Sequence, residues 1–361
     1  MEKGEKREKV IEHLRREIDS GRWPEKRLPR EIDLAAELGV ARGTLRKALS
    51  RLEAEGLLIR KKHSGTMISR EDPKPVIGVV MRCRSDFYED IYRHLLRELG
   101  KAGYNGTFVD TFGYDVPKMR THIRRGIDGI LNSRIAGLIS DGFFFYKLPR
   151  REEILRRNPV FFDFYDGFSV CPPNTTGVLI DYYQVGRMGA EYLLKKGCRH
   201  PWFFCGPLRP GIRYSPSAFP LHKNKRMIDG ISDVLTAAGM DPWVHICMTD
   251  MQWKYIDLML FEVFSDPGSR PDGLFCCEDV KVVKLLKIAK ECGYVPHHRI
   301  GVYNTPWSRG RSGHYFPSIG LAPKKCAEAL VRLVRLPPEQ RENVYIQPEL
   351  IERKTDMKYE I

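Results

Sequence analysis

From Val76 onward the chain alternates short apolar runs with stretches of helical period, and this alternation constrains its fold more than any other feature. Apolar runs at Val76–Met81, Thr107–Asp110, Gly137–Ser140, Val160–Phe164, Val178–Asp181, Trp202–Gly206, Val244–Met248, Gly273–Cys277, Ile300–Tyr303 and Ile319–Leu321 read as strands. Helical periods lie between them at Tyr88–Lys101, Val185–Lys196, Lys225–Ala238, Val280–Cys292 and Lys324–Leu336. Strand–helix alternation over about 285 residues predicts an α/β fold with largely parallel sheets. That length slightly exceeds one core, so two α/β lobes are predicted.

Residues 1–70 read differently, as helices followed by a short hairpin. Val10, Ile11, Leu14 and Ile18 recur at helical spacing, then Leu34, Ala35 and Leu38, then Leu45, Ala48, Leu49 and Leu52. Leu57-Leu58-Ile59, a basic tip and Met67-Ile68 make strand, turn, strand. Residues 71–75, with two prolines among charges, have the composition of a linker. Three helices and a basic-tipped hairpin predict a winged helix-turn-helix. In such modules the second helix of the motif enters the major groove with its N-terminal residues at base edges. Here that helix opens with Arg42, Thr44, Arg46 and Lys47. Arg can bond guanine bidentately, and Thr can meet a thymine methyl or a phosphate. Lys62, His63 and Gly65 at the hairpin tip would approach the DNA backbone or minor groove. A solvated basic face is the plain alternative, and the coincidence of a basic helix start with a basic hairpin tip argues against it.

Leu28-Pro29-Arg30-Glu31-Ile32-Asp33-Leu34-Ala35, Leu38-Gly39-Val40-Ala41-Arg42-Gly43-Thr44-Leu45-Arg46-Lys47-Ala48-Leu49, Leu52-Glu53-Ala54-Glu55-Gly56 and Gly65-Thr66 resemble the DNA-binding head of the GntR family of bacterial transcription factors. The resemblance implies base or phosphate contacts for Arg42, Thr44 and Arg46 and a wing position for Gly65. Arg30 stands where the family has Ser and Ile32 where it commonly has Arg, so one phosphate contact shifts to Arg30 or is lost.

The order of motifs after residue 75 resembles the LacI-type, periplasmic-binding-protein-like effector domain. It is carried by Val76-Ile77-Gly78-Val79-Val80, Ile135-Ala136-Gly137-Leu138-Ile139, Pro159-Val160-Phe161-Phe162-Asp163, Ile180 to Arg187, and Arg270 to Asp279. The implied boundaries are lobe 1 at 76–177 and 306–335, and lobe 2 at 178–305 and 336–356, within an effector domain of 76–361. The resemblance implies a cleft between lobes that takes a small sugar-like effector, with candidate contacts Phe87, Tyr88, Asp141, Asp163, Arg226, Glu278, Asp279 and Trp307. Core packing remains open for each aromatic, and a solvated strand end for Asp163. Met227 stands where the family's cleft Arg is usual, Glu278 where Asn is usual, and Asn304-Thr305-Pro306-Trp307 replaces a late carboxylate motif. A sensor that has lost sugar binding and answers to a protein partner or an anionic ligand is therefore the second reading.

Together these resemblances imply a homodimeric, effector-controlled repressor on double-stranded operator DNA. They predict no enzyme, cofactor or metal: the motif order does not fit a pyridoxal-phosphate domain, and no Cys/His set has ligand spacing. Nine cysteines without a C-x-x-C pair suit a reducing cytoplasm, and no apolar run approaches membrane-spanning length. The net charge of +14 is not itself the DNA signature. Residues 1–72 carry only +4 of it, whereas Gly39–Arg70 holds eight Lys/Arg against two acids. The remaining +10 belongs to the sensor.

Overall fold

The computed structural model describes residues 3–23, 25–61, 65–69, 74–83, 85–114, 116–142, 145, 148–163, 175–205, 223–247, 260–311, 313 and 315–353. Two compact units divide the chain, Met1–Pro75 and Val76–Ile361.

In the first unit α1 (Lys3–Asp19), α2 (Glu31–Glu37) and α3 (Arg42–Ala54) precede β1 (Leu58–Lys61) and β2 (Gly65–Ile68). The apolar stripes of the three helices meet in one core of Ile11, Leu14, Leu34, Leu45, Leu49 and Leu52, closed by Leu28 and Leu58. β1 and β2 pair antiparallel from Leu58↔Ile68 to Lys61↔Gly65. Residues 26–28 add a short third edge. The Leu28 amide donates to Thr66 O at 2.9 Å and the Ile68 amide to Lys26 O at 2.7 Å. This is a winged helix-turn-helix.

Among the described residues, the second unit has two six-stranded sheets. The first contains β3 (Val76–Met81), β4 (Asn105–Asp110), β5 (Gly137–Asp141), β6 (Val160–Phe162), β7 (Thr176–Ile180) and, near the C-terminus, Val344–Ile346. Its helices are α4 (Asp86–Lys101), α5 (Pro117–Leu131) and α6 (Arg151–Arg156). After α7 (Tyr182–Lys195) the second sheet is built from β8 (Pro201–Phe204), β9 (Ile246–Cys247), β10 (Gly273–Cys276), β11 (His298–Val302) and β12 (Ser318–Gly320). Between them run α8 (Lys223–Ala237), α9 (Pro242–His245) and α10 (Asp279–Glu291), and α11 (Pro323–Val334) follows β12. The chain then adds β13 (Val344–Ile346) to the first sheet and β14 (Glu349–Ile351) to the second. Among the described residues of this unit, all pairings are parallel except β12 with β14. The fold is periplasmic-binding-protein-like, with crossovers after β7, after β12 and between β13 and β14.

These crossovers correct the expected lobe boundaries. Residues 306–320 stay with lobe 2, because β12 hydrogen-bonds beside β11 (Gly301↔Ser318). Residues 336–346 stay with lobe 1, because β13 pairs with β7 (Val344↔Val178). All of β7 belongs to lobe 1. Val244–Met248 is also corrected: Pro242–His245 is a helical turn, Ile246–Cys247 is the strand, and Met248 lies outside the described residues.

Candidate nucleic-acid interface and effector cleft

On the head, α3 is preceded by the turn Leu38 to Ala41, with Gly39 at φ 59°. The N-cap is Ala41, which offers no side-chain acceptor to the orphan amides of the first turn. Arg42 and Lys47 are exposed and carry no ion pair among the described residues, while Thr44 is half-buried. Arg46 is also exposed, but its guanidinium pairs with Glu31 through Nη2 at 3.1 Å and Nε at 3.2 Å. Arg30 sits exposed at the N-cap position of α2. Gly65 opens β2 at φ 76°, a left-handed conformation that favours glycine. Lys62 and His63 lie outside the described residues.

Arg27 joins this group without having been singled out from the sequence. It bridges Met67 in the third edge of the wing, and its guanidinium lies beside the Gly65 turn. Only the fold brings residues so far apart together, so no local pattern marked it. Arg60, by contrast, is held by Glu53 (3.6 Å) and the Arg46 carbonyl (3.2 Å).

In the sensor the residues just past the carboxyl ends of β6 and β11 converge on the start of α4, at the junction of the lobes, where ligand sites of α/β folds form. Asp163, just after β6, is buried at φ 53° and accepts hydrogen bonds from Tyr88 Oη (3.2 Å) and Tyr182 Oη (3.1 Å). Tyr88 comes from lobe 1 and Tyr182 from lobe 2, so this carboxyl joins the lobes. Phe87 is buried with its ring 4.9 Å from that of Tyr303, which ends the β11 segment of lobe 2. Tyr303 and Asn304 both have positive φ, 90° and 52°. Two consecutive non-glycine residues in this region store strain, a feature that clusters at functional junctions. Trp307 lies under the Arg311 guanidinium (5.2 Å), and Arg311 reaches across to Asp86 on α4 at 3.2 Å. A cavity of about 490 Å³ opens alongside α4 against lobe 2, with Asp90, His94, Tyr303, Asn304 and Arg309 in its wall.

Other expected contacts are placed differently. Asp279 turns into lobe 2, where it accepts from the Thr305 amide (2.6 Å), Thr305 Oγ1 (3.0 Å) and Ser318 Oγ (2.7 Å). Burial pushes its carboxyl up to about 6, against the opposing pull of these hydrogen bonds. It staples the β11–β12 connection, because a buried carboxylate takes the nearest donors. Arg226 is exposed on the flank of α8, its guanidinium 5.7 Å from the Tyr183 ring. Met227 is buried against α7. Asp141 is buried at the end of β5, and Glu278 is half-exposed before α10.

One further group was missed in the sequence. Lys281 is mostly buried on the first turn of α10, with Nζ 3.1 Å from Cys277 Sγ and 3.5 Å from Glu278 Oε1. Burial works against its charge, but Cys277, Glu278 and Tyr303 outweigh that and hold the ammonium above its ordinary range. An isolated lysine in a helical period carries no signal of such a setting.

Residues 6–68 match the family described as "Bacterial regulatory proteins, gntR family". The arabinose metabolism transcriptional repressor of Geobacillus stearothermophilus is 37% identical over 97 residues, 24% of this chain and 26% of that protein. The chain spans about a quarter to a third of the length of the first curated relatives it matches. Among solved structures, the transcriptional regulator CelR–cellobiose complex aligns with TM-score 0.59 and 17% identity over 91% of this chain and all of that one. A periplasmic binding protein/LacI transcriptional regulator from Alkaliphilus metalliredigens complexed with D-xylulofuranose aligns with TM-score 0.57 and 17% identity, over 78% and 98%. The head is thus a GntR-family helix-turn-helix domain, and the larger unit has the LacI-type fold.

Proposed function

We propose that this protein is a cytoplasmic, non-enzymatic transcriptional regulator, a repressor, whose GntR-type head binds double-stranded operator DNA under control of a small effector in the sensor. The observation that carries the reading is the exposed Arg42, Arg46 and Lys47 row on α3, beside a wing bearing Arg27 and the Gly65 turn. Arg46 would exchange Glu31 for a base or a phosphate. Substituting Arg42 or Arg46 by Ala is expected to cost roughly 1–3 kcal/mol of operator affinity if the contact is to a base. Unchanged affinity in both variants would remove α3 as the recognition helix.

Two copies acting on a palindromic site fit this head. Support for a homodimer comes from the far edges of the two sheets. Val116 and Met119 follow edge strand β4, Trp243 and Val244 precede edge strand β9, and all four are exposed apolar residues. Among the described residues no helix is long and apolar enough to cross a membrane.

The effector reading rests on the lobe junction. Tyr88 and Trp307, both half-buried, supply the aromatic faces, and Asp163 behind Tyr88 the carboxyl, that a sugar's C–H surface and hydroxyls require. Phe87 is packed into the core and is not a contact. The two sugar-complexed structures of like fold support it as analogy. A second reading, an anionic ligand, is favoured by Lys281, a mostly buried ammonium beside Glu278. A thermal-shift screen of pentoses, hexoses, their phosphates and sugar acids separates them, since a ligand that binds only the native state must raise its stability. Neutral sugars raise the melting temperature on the first reading, and only the phosphates or sugar acids raise it on the second.

A further inference from the structure

We infer that the α5–α6 face of lobe 1 is a second, sequence-independent contact surface for the phosphate backbone of duplex DNA. This rests on the DNA-binding reading of the head and extends it to the sensor. α5 and α6 cover one side of the first sheet, burying Ile123, Ile127, Ile130 and Ile154 against Val80 and Phe161. Arg150 fastens the two helices by pairing with Asp128 at 2.7 Å, and Arg157 Nη2 donates to Leu131 O at 2.7 Å.

Residues 117–134 and 150–157 together hold nine Lys/Arg against three acids. Thus +6 of the sensor's +10 is concentrated on this one layer. The layer on the other side of the same sheet, residues 86–101 and 323–334, holds six against five. A generally basic surface would not divide this way. On α5, Lys118, His122 and Arg125 fall at i, i+4 and i+7, opposite Ile123, Ile127 and Ile130, and form an outward stripe. Lys118, Arg124 and Arg125 are exposed and have no hydrogen bond or ion pair among the described residues. Extended, uncompensated positive charge complements a polyanion. Duplex DNA is the polyanion the head already engages, and a second weak contact on one chain multiplies affinity through effective concentration.

The test is fluorescence anisotropy of the full chain on a random-sequence duplex of about 40 base pairs, titrated between about 50 and 200 mM salt. Lys118→Gln/Arg124→Gln/Arg125→Gln should lower the slope of log affinity on log salt by about 2–3, at about 0.9 per phosphate contact. Arg124→Lys/Arg125→Lys, which keeps the charge, should retain the wild-type slope. Circular dichroism melts of the glutamine variant should match wild type, since none of the three side chains is packed. An unchanged slope in that variant overturns the proposal. So does loss of binding to single-stranded RNA with the duplex slope intact, which would assign the face to another polyanion. The two readings fail separately. If wild type does not bind duplex at low salt, the head reading falls with this one. If wild type binds and the glutamine variant matches it, only this proposal falls.

Discussion

Ala41 caps the helix that carries the proposed DNA contacts, yet it has no side-chain acceptor for the amides of the first turn. Ala41→Ser supplies one, and N-cap serine in place of alanine typically adds about 0.5–2 kcal/mol. Denaturant melts of the head should show a gain in that range, and a loss would mean that the turn cannot present the hydroxyl. Asp279 makes a second residue-scale prediction. Its carboxyl titrates near 3.8 when unfolded and near 6 in the fold, raised by burial. The folded state therefore holds the extra proton between these values. The stabilisation is complete below the unfolded pKa and is lost as pH rises through the folded one. Relative to Asp279→Asn, wild type should lose about 2–3 kcal/mol between about pH 4 and 7. Equal pH dependence of the two proteins would contradict the burial account.

Helix α7 lies so close to α8 that a Cβ at Gly186 would overlap the Met227 carbonyl oxygen, and one at Gly230 the Tyr183 carbonyl. Gly186→Ala should therefore cost about 1–3 kcal/mol through forced backbone movement. Gly129→Ala, at an exposed helical position with open space around it, should gain about 0.5–1 kcal/mol. Equal effects in chemical denaturation would contradict the close approach. The elements themselves were read unevenly from the sequence. Helices α4, α7, α8, α10 and α11 announce themselves through long apolar stripes, as Ile91, Leu95 and Leu99 do in α4. β13 and β14 are three residues each, separated by two residues, and their pairing partners lie far away in sequence. Period alone cannot find such strands, so the sequence pattern sets the last crossover too early.

At the scale of the whole molecule, the two units differ in how much of their site the sequence exposes. The head's proposed DNA contacts lie on one helix start and one wing, so Arg42, Arg46 and Gly65 follow from local order. The sensor's junction is assembled from helix starts, strand ends and a loop scattered from residue 86 to residue 311. Asp163 is recognisable as a strand-end acid, but its two tyrosine partners belong to different lobes. Asp279 looks identical in sequence and yet faces inward. Charge behaves the same way, since the total of +14 says little while its concentration on α5–α6 is informative.

If the head reads a specific duplex, in vitro selection from a random double-stranded library with the full chain should enrich a palindromic site. That site should be bound roughly 10³-fold or more tightly than random sequence near physiological salt, with most of that preference lost in Arg42→Ala/Arg46→Ala. Failure to enrich any site, or an equal preference in the double variant, would contradict that reading.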